Sequence, residues 1–79
     1  MATVRYFAAA RAATGTAAEE VAADSVKELV ELLELRYGDR LGRVLSACSF
    51  LVDGLACREP ATTLTGSSTV DVLPPFAGG

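Results

Sequence analysis

Ser25–Gly38, SVKELVELLELRYG, is the stretch around which the rest of the chain arranges itself. A serine followed three residues later by a glutamate is a capping box: the Ser25 hydroxyl accepts from the Glu28 amide while the Glu28 side chain reaches back. Val26, Leu29, Val30, Leu33 and Tyr37 then recur at three- and four-residue spacing and make one apolar stripe. Lys27, Glu28, Glu31 and Glu34 fall on the other side, facing water. Gly38 is placed as the left-handed cap that ends the helix. The carboxylates of Glu28, Glu31 and Glu34 therefore belong to a solvated helix face rather than to an acid–base set.

Working outward, the flanks read as strands. Upstream, residues 3–8, TVRYFA, are β-branched and aromatic around Arg5. Alternation puts Val4, Tyr6 and Ala8 on one face and Arg5 with Phe7 on the other. Residues 9–14 form a single turn stopped by Gly15, and Ala17–Ala22 returns as a second strand, against the helical propensity of AAEEVAA. Downstream, LGRVLSA at 41–47 makes another helical turn. CSFLVDGLACRE then reads as a hairpin around Asp53-Gly54. With those two residues central, Val52 faces Leu55, Leu51 faces Ala56 and Phe50 faces Cys57. Phe50, Val52, Leu55 and Cys57 look inward, and Leu51 and Ala56 outward. Cys48 sits diagonal to Cys57, so the register disfavours a disulfide. Pro60 ends the second hairpin strand, residues 64–68 turn, and Thr69–Leu73 is the last strand, with Val70 and Val72 on one side and Asp71 and Leu73 on the other. Strand, strand, helix, hairpin, strand is the order of an α+β fold of the β-grasp type. A mixed sheet of four to five strands packs over one main helix, giving a two-layer core.

Length and composition bound the function. Seventy-nine residues with no internal linker or repeat make one domain, and 51% hydrophobic residues put it far from the disordered range. A net charge of −3, with Arg5, Arg11, Lys27, Arg36, Arg40, Arg43 and Arg58 scattered, argues against nucleic acid. No apolar run approaches a membrane span and no leader is evident, so a cytoplasmic setting is expected. The chain has two cysteines and no histidine. A structural zinc site and a Cys-His or Ser-His nucleophile are therefore not available.

The segment VDVLPPFAGG, Val70–Gly79, carries the chemistry. Pro74 and Pro75 lack amide hydrogens and fix φ near −65°, so the chain leaves the sheet and residues 74–79 form a flexible, extended tail. Four residues beyond them project up to about 13 Å. Phe76 is the last side chain able to grip a surface, and Ala77, Gly78 and Gly79 make a narrow thread. Such a thread suits delivery of a terminal carboxylate into another protein's active site, where walls close around a backbone without Cβ atoms. The carboxyl carbon of Gly79 is unhindered but inert until activated, most simply as an acyl-adenylate from which sulfur can displace AMP. The plainer alternatives are a frayed end and a proline pair that merely terminates a strand.

VRYFAAARAATGT at 4–16, VDG at 52–54 and VLPPFAGG at 72–79 together resemble the ubiquitin-like sulfur carriers of the ThiS/MoaD group, and most closely the small subunit of molybdopterin synthase. The resemblance spans nearly the whole chain. The thiamin-pathway carrier also ends in Gly-Gly, but it is usually shorter and lacks the Arg11 segment and the double proline. Gly66-Ser67-Ser68 stands where that family commonly has Gly-Asp, and turn chemistry survives the change.

The resemblance implies a non-catalytic carrier subunit of a sulfurtransferase that binds no cofactor itself. An E1-like adenylyltransferase would use MgATP to activate Gly79, a sulfur donor would convert it to a thiocarboxylate, and the large subunit of molybdopterin synthase would receive the tail. Sulfur would then enter the dithiolene of molybdopterin. Pro74, Pro75, Phe76, Ala77 and Gly78 would contact the partner. Phe7, Leu51, Ala56 and Leu73, on one predicted outer face of the sheet, would form its apolar docking patch unless a loop covers them. Two other functions remain open: a ThiS-like carrier for another pathway such as thiamin thiazole formation, or a modifier joined to lysine. A plain interaction domain is the third.

Overall fold

The computed structural model describes residues 1–74. In chain order the elements are β1 (Ala2–Tyr6), α1 (Ala8–Thr14), β2 (Ala18–Val21), α2 (Val26–Tyr37), α3 (Asp39–Ala47), β3 (Ser49–Val52), β4 (Leu55–Cys57) and β5 (Thr69–Leu73). The strands form one mixed sheet in the order β2-β1-β5-β3-β4. β1 and β5 run parallel in the middle, and the other neighbours pair antiparallel. The α+β class and the β-grasp order expected from the sequence are the observed ones.

α2 forms where its cap and stripe dictate. Ser25 takes extended backbone angles and its hydroxyl accepts from the Glu28 amide. The Glu28 carboxylate reaches one residue further back than a standard box requires, accepting from Asp24 N–H at 3.2 Å. Val26, Leu29 and Leu33 are buried, with Val30 and Tyr37 packed against them. Gly38 has φ +82° but an extended ψ of −167°. It is not the helical left-handed cap expected, because the same residue is the N-cap of α3 and must turn the chain at once.

The inner layer is thicker than one helix. α1 is a seven-residue helix rather than a single turn, and it buries Ala10 completely. α3 runs over nine residues and buries Leu41 and Leu45. Against them lie the inward residues of the central strands: Ala2, Val4, Tyr6, Val70 and Val72, all 0–1% exposed. β1 stops at Tyr6, so Ala8 is not on the inner strand face. It starts α1 instead, with φ +51°. β2 forms in spite of its helical composition because every residue pairs with β1, from Ala18 beside Arg5 to Val21 beside Ala2.

The hairpin has the register that Asp53-Gly54 implies: Val52 with Leu55, Leu51 with Ala56, Phe50 with Cys57. Both turn residues have positive φ, +51° and +83°, as a type I′ turn requires. Asp53 also ties the turn to β5, donating N–H to the Thr69 carbonyl and accepting from Thr69 N–H through Oδ1. Leu55 does not look into the core as expected. It is 75% exposed, because it sits beside the turn on an edge strand. Both cysteines are free thiols, as the diagonal placement implies.

Candidate functional site

Proline decides where the last strand stops. β5 ends at Leu73, Pro74 is exposed beyond it, and Pro75, Phe76, Ala77, Gly78 and Gly79 lie outside the described residues. What can be built from the structure is the surface from which the tail departs.

That surface is the outer face of the sheet. Val70 and Val72 point inward, so Asp71 and Leu73 point outward, and register carries the same parity across to the neighbouring strands. One row runs Ala18, Arg5, Asp71, Leu51, Ala56. The next row towards the exit begins with Phe7, whose N–H continues the parallel ladder by donating to the Val72 carbonyl, and runs through Leu73 to Ser49. Phe7, Leu51, Ala56 and Leu73 therefore share one face at the chain exit, and no helix among the described residues is laid over it. Phe7 is 40% exposed, Ala56 is exposed, and Leu51 and Leu73 are half-buried.

In the middle of this apolar surface stands an ion pair that sequence reasoning missed. Arg5 donates Nε–H to Asp71 Oδ1 at 2.5 Å and Nη2–H to Oδ2 at 2.7 Å, a fork-on-fork contact between the two central strands. The Asp71 side chain is 11% exposed and that of Arg5 is 51% exposed. Hydrogen bonding to Asp71, and then its charge, hold the guanidinium above its usual range. The only sequence signal was opposite charge at two outward positions. Nothing local says that strands 66 residues apart are neighbours.

The inner side carries a second polar cluster. Glu19 Oε2 accepts from the Tyr6 hydroxyl at 2.9 Å and from the Tyr37 hydroxyl, and Oε1 accepts from Arg36. Burial raises the carboxyl pKa, but hydrogen bonds from Tyr37, Tyr6 and Arg36 outweigh it and leave Glu19 below the usual range. The Tyr6 hydroxyl is held far above its ordinary value by burial, then by its bond to Glu19. This cluster fastens α2 to β1 and β2 and presents no open acid or base.

Among the described residues no three Asp, Glu, Cys or His side chains converge as metal ligands. Burial pushes the Cys48 thiol up, the wrong direction for a nucleophile. The Cys57 sulfur lies 3.4 Å from both the Glu59 carbonyl oxygen and Thr62 Oγ1, beside an apolar cleft of about 330 Å³ lined by Val26, Val30, Phe50 and Pro60. Glu28, Glu31 and Glu34 are exposed, as expected of a wet helix face. No helix among the described residues is long and apolar enough to cross a membrane.

Comparison with known proteins agrees with this architecture. The sequence model of the ThiS family matches residues 4–79. By sequence, no curated protein matches the chain. Among solved structures, small archaeal modifier protein 1 from Methanosarcina acetivorans superposes with a TM-score of 0.86 at 24% identity, over 99% of this chain and 95% of that one. A putative molybdopterin converting factor subunit 1 from Pyrococcus furiosus gives 0.84 at 22% identity, over 95% and 97%. A complex of subunits 1 and 2 of the molybdopterin-converting factor from Helicobacter pylori gives 0.76 at 24% identity, over 99% and 97%.

Proposed function

Because the chain belongs to the ThiS family, whose ubiquitin-like sulfur-carrier fold it has, we propose that it carries sulfur on Gly79 as the small subunit of molybdopterin synthase. The observation that supports this most directly is the outer face: an apolar surface that no helix among the described residues covers adjoins the end of β5, where Pro74 follows Leu73 and the sequence runs on to Gly78-Gly79. A carrier needs those two things together. The face docks the partner, and docking turns entry of the tail into an intramolecular event at high effective concentration.

In this function the domain is a passive scaffold and its partners do the catalysis. An adenylating enzyme joins the Gly79 carboxylate to the α-phosphate of MgATP, expelling pyrophosphate. Sulfide from a donor attacks the acyl carbon, AMP leaves, and a thiocarboxylate remains. With Gly79 and Gly78 lacking side chains, the acyl carbon meets its attacker without steric hindrance. The large synthase subunit then takes the tail, with Phe76 as the gripping side chain. Sulfur passes to a pterin precursor as water restores the carboxylate. The precedent for such an assembly is the complex of subunits 1 and 2 of the molybdopterin-converting factor from Helicobacter pylori, one chain of which has the same fold.

The test is intact mass after incubation with the adenylating enzyme, MgATP and a sulfide source. The expected gain is that of one sulfur replacing one oxygen, and it disappears when Gly79 is deleted while thermal unfolding stays unchanged. High-mass conjugates that survive reductant, with no such gain, would instead assign the chain to lysine modification. A docking module without tail chemistry would lose little on deletion of Gly79.

A further inference from the structure

We infer that Arg5 is the specificity-determining residue of the outer face, and that the partner it selects presents an apolar surface with one aspartate or glutamate carboxylate opposite the guanidinium. This rests on the sulfur-carrier proposal and adds the chemistry of the surface that receives the carrier.

The argument starts from donor count. A guanidinium has five N–H groups, and Asp71 takes two of them, through Nε and Nη2, leaving three unclaimed by this pair. The two charges cancel in sum but not in position. Asp71 lies on a central strand flanked on both sides and is nearly covered, whereas half of the Arg5 side chain is exposed. A partner approaching this face therefore meets the cation and not the anion. On a chain of net charge −3 that is a local reversal of sign.

Its surroundings make the reversal decisive. In the same cross-strand row the outward neighbours are Ala18, Leu51 and Ala56, and the row at the exit holds Phe7 and Leu73. Among residues of the five strands, only Glu20 adds another charge to this face, and it lies beside Thr3 at the end away from the exit. A wholly apolar partner would strip water from three charged N–H groups and replace it with nothing, a cost that discriminates against it. A carboxylate opposite Arg5 supplies the missing acceptor in the geometry the fork favours. Asp71 already holds the fork in place, so little side-chain entropy remains to be lost on docking.

The probe is the large synthase subunit from the same genome, titrated calorimetrically against the full chain, the double variant Arg5→Leu/Asp71→Val and the single variant Arg5→Lys, at low and high NaCl. The double variant removes both charges together, so no buried charge is left unpaired and the fold should be retained. It should bind about tenfold or more weakly and lose most of the salt dependence of the parent. Arg5→Lys keeps the charge without the fork; it should retain the salt dependence and bind about threefold or more weakly. Equal affinity and equal salt slope in the double variant would reduce the pair to a sheet fastener and overturn the inference. If the double variant fails to fold, parental affinity in Arg5→Lys overturns it and the threefold loss supports it. Sulfur loading of the same samples separates the two claims. A parent chain that never gains sulfur but shows the binding losses sinks the carrier proposal alone. A parent chain that loads sulfur, with variants that bind like it, sinks the inference alone. No binding by the parent chain sinks both.

Discussion

Deleting the Glu19 carboxylate should cost more stability than deleting the Tyr6 hydroxyl, and deleting both should cost less than deleting the carboxylate alone. Three donors converge on Glu19, but they differ in what they can do without it. Arg36 is exposed and Tyr37 half-buried, so both turn to water. Tyr6 is 1% exposed, so in Glu19→Ala its hydroxyl stays in the interior with no acceptor. An orphaned buried donor costs about 1–3 kcal/mol, whereas the net loss of an ordinary hydrogen bond in Tyr6→Phe is about 1 kcal/mol. Adding Tyr6→Phe to Glu19→Ala removes the orphan and should restore roughly 1 kcal/mol. In a domain of this size that is about 4–8 °C in Tm. The assay is urea and thermal unfolding of the four proteins followed by circular dichroism. A double variant less stable than Glu19→Ala would refute the reasoning, because the Tyr6 hydroxyl would then have a partner of its own. The pH dependence has a definite sign. Glu19 titrates below its ordinary value, so its contribution is complete above about pH 4.3 and is lost as pH falls through the lower folded value. The advantage of the parent chain over Glu19→Gln should therefore shrink in acid and not in base.

Other perturbations separate conformation, packing and docking. Gly54→Ala should cost about 1–2 kcal/mol by denaturant titration, a purely conformational loss, since φ is +83° and nothing lies within 4 Å of an added Cβ. Leu33→Ala, at a fully buried position, should cost about 2–5 kcal/mol, while Leu35→Ala on the same helix, at a position 84% exposed, should stay within about 0.5 kcal/mol. Phe7→Asp should melt like the parent chain and bind the large synthase subunit about tenfold or more weakly. Unfolding of that variant would show Phe7 to be a core residue instead of a docking one.

The successes and failures of sequence reasoning divide by distance along the chain. The Ser25 cap, the apolar stripe of α2, the register of the hairpin and the end of β5 before Pro74 were all legible, and all are set by residues a few positions apart. The inward parity of Leu55 was correct for the strand and wrong for the residue, since parity does not say how far the helical layer extends over an edge strand. α1 and α3 read as single turns because short segments have weak helical preference in isolation. Burial of Ala10 against the sheet layer, and of Leu41 and Leu45 in the same core, supplies what propensity lacked. β2 reversed its own preference for the same kind of reason, its backbone groups being claimed by β1.

By itself the amino-acid sequence determined the order of the strands and of α2, the apolar face of α2, the inward places of Val4, Tyr6, Val70 and Val72, and the point at which β5 ends. Each follows from steric and hydrogen-bonding rules acting over one turn or one strand. Only the tertiary structure decided that β1 lies parallel to β5, and with that the meeting of Arg5 with Asp71 and of Tyr6, Arg36 and Tyr37 on Glu19. Those contacts join residues from 13 to 66 positions apart. Local pattern is blind to them because hydrophobic alternation specifies which face a residue takes and leaves open which strand stands beside it.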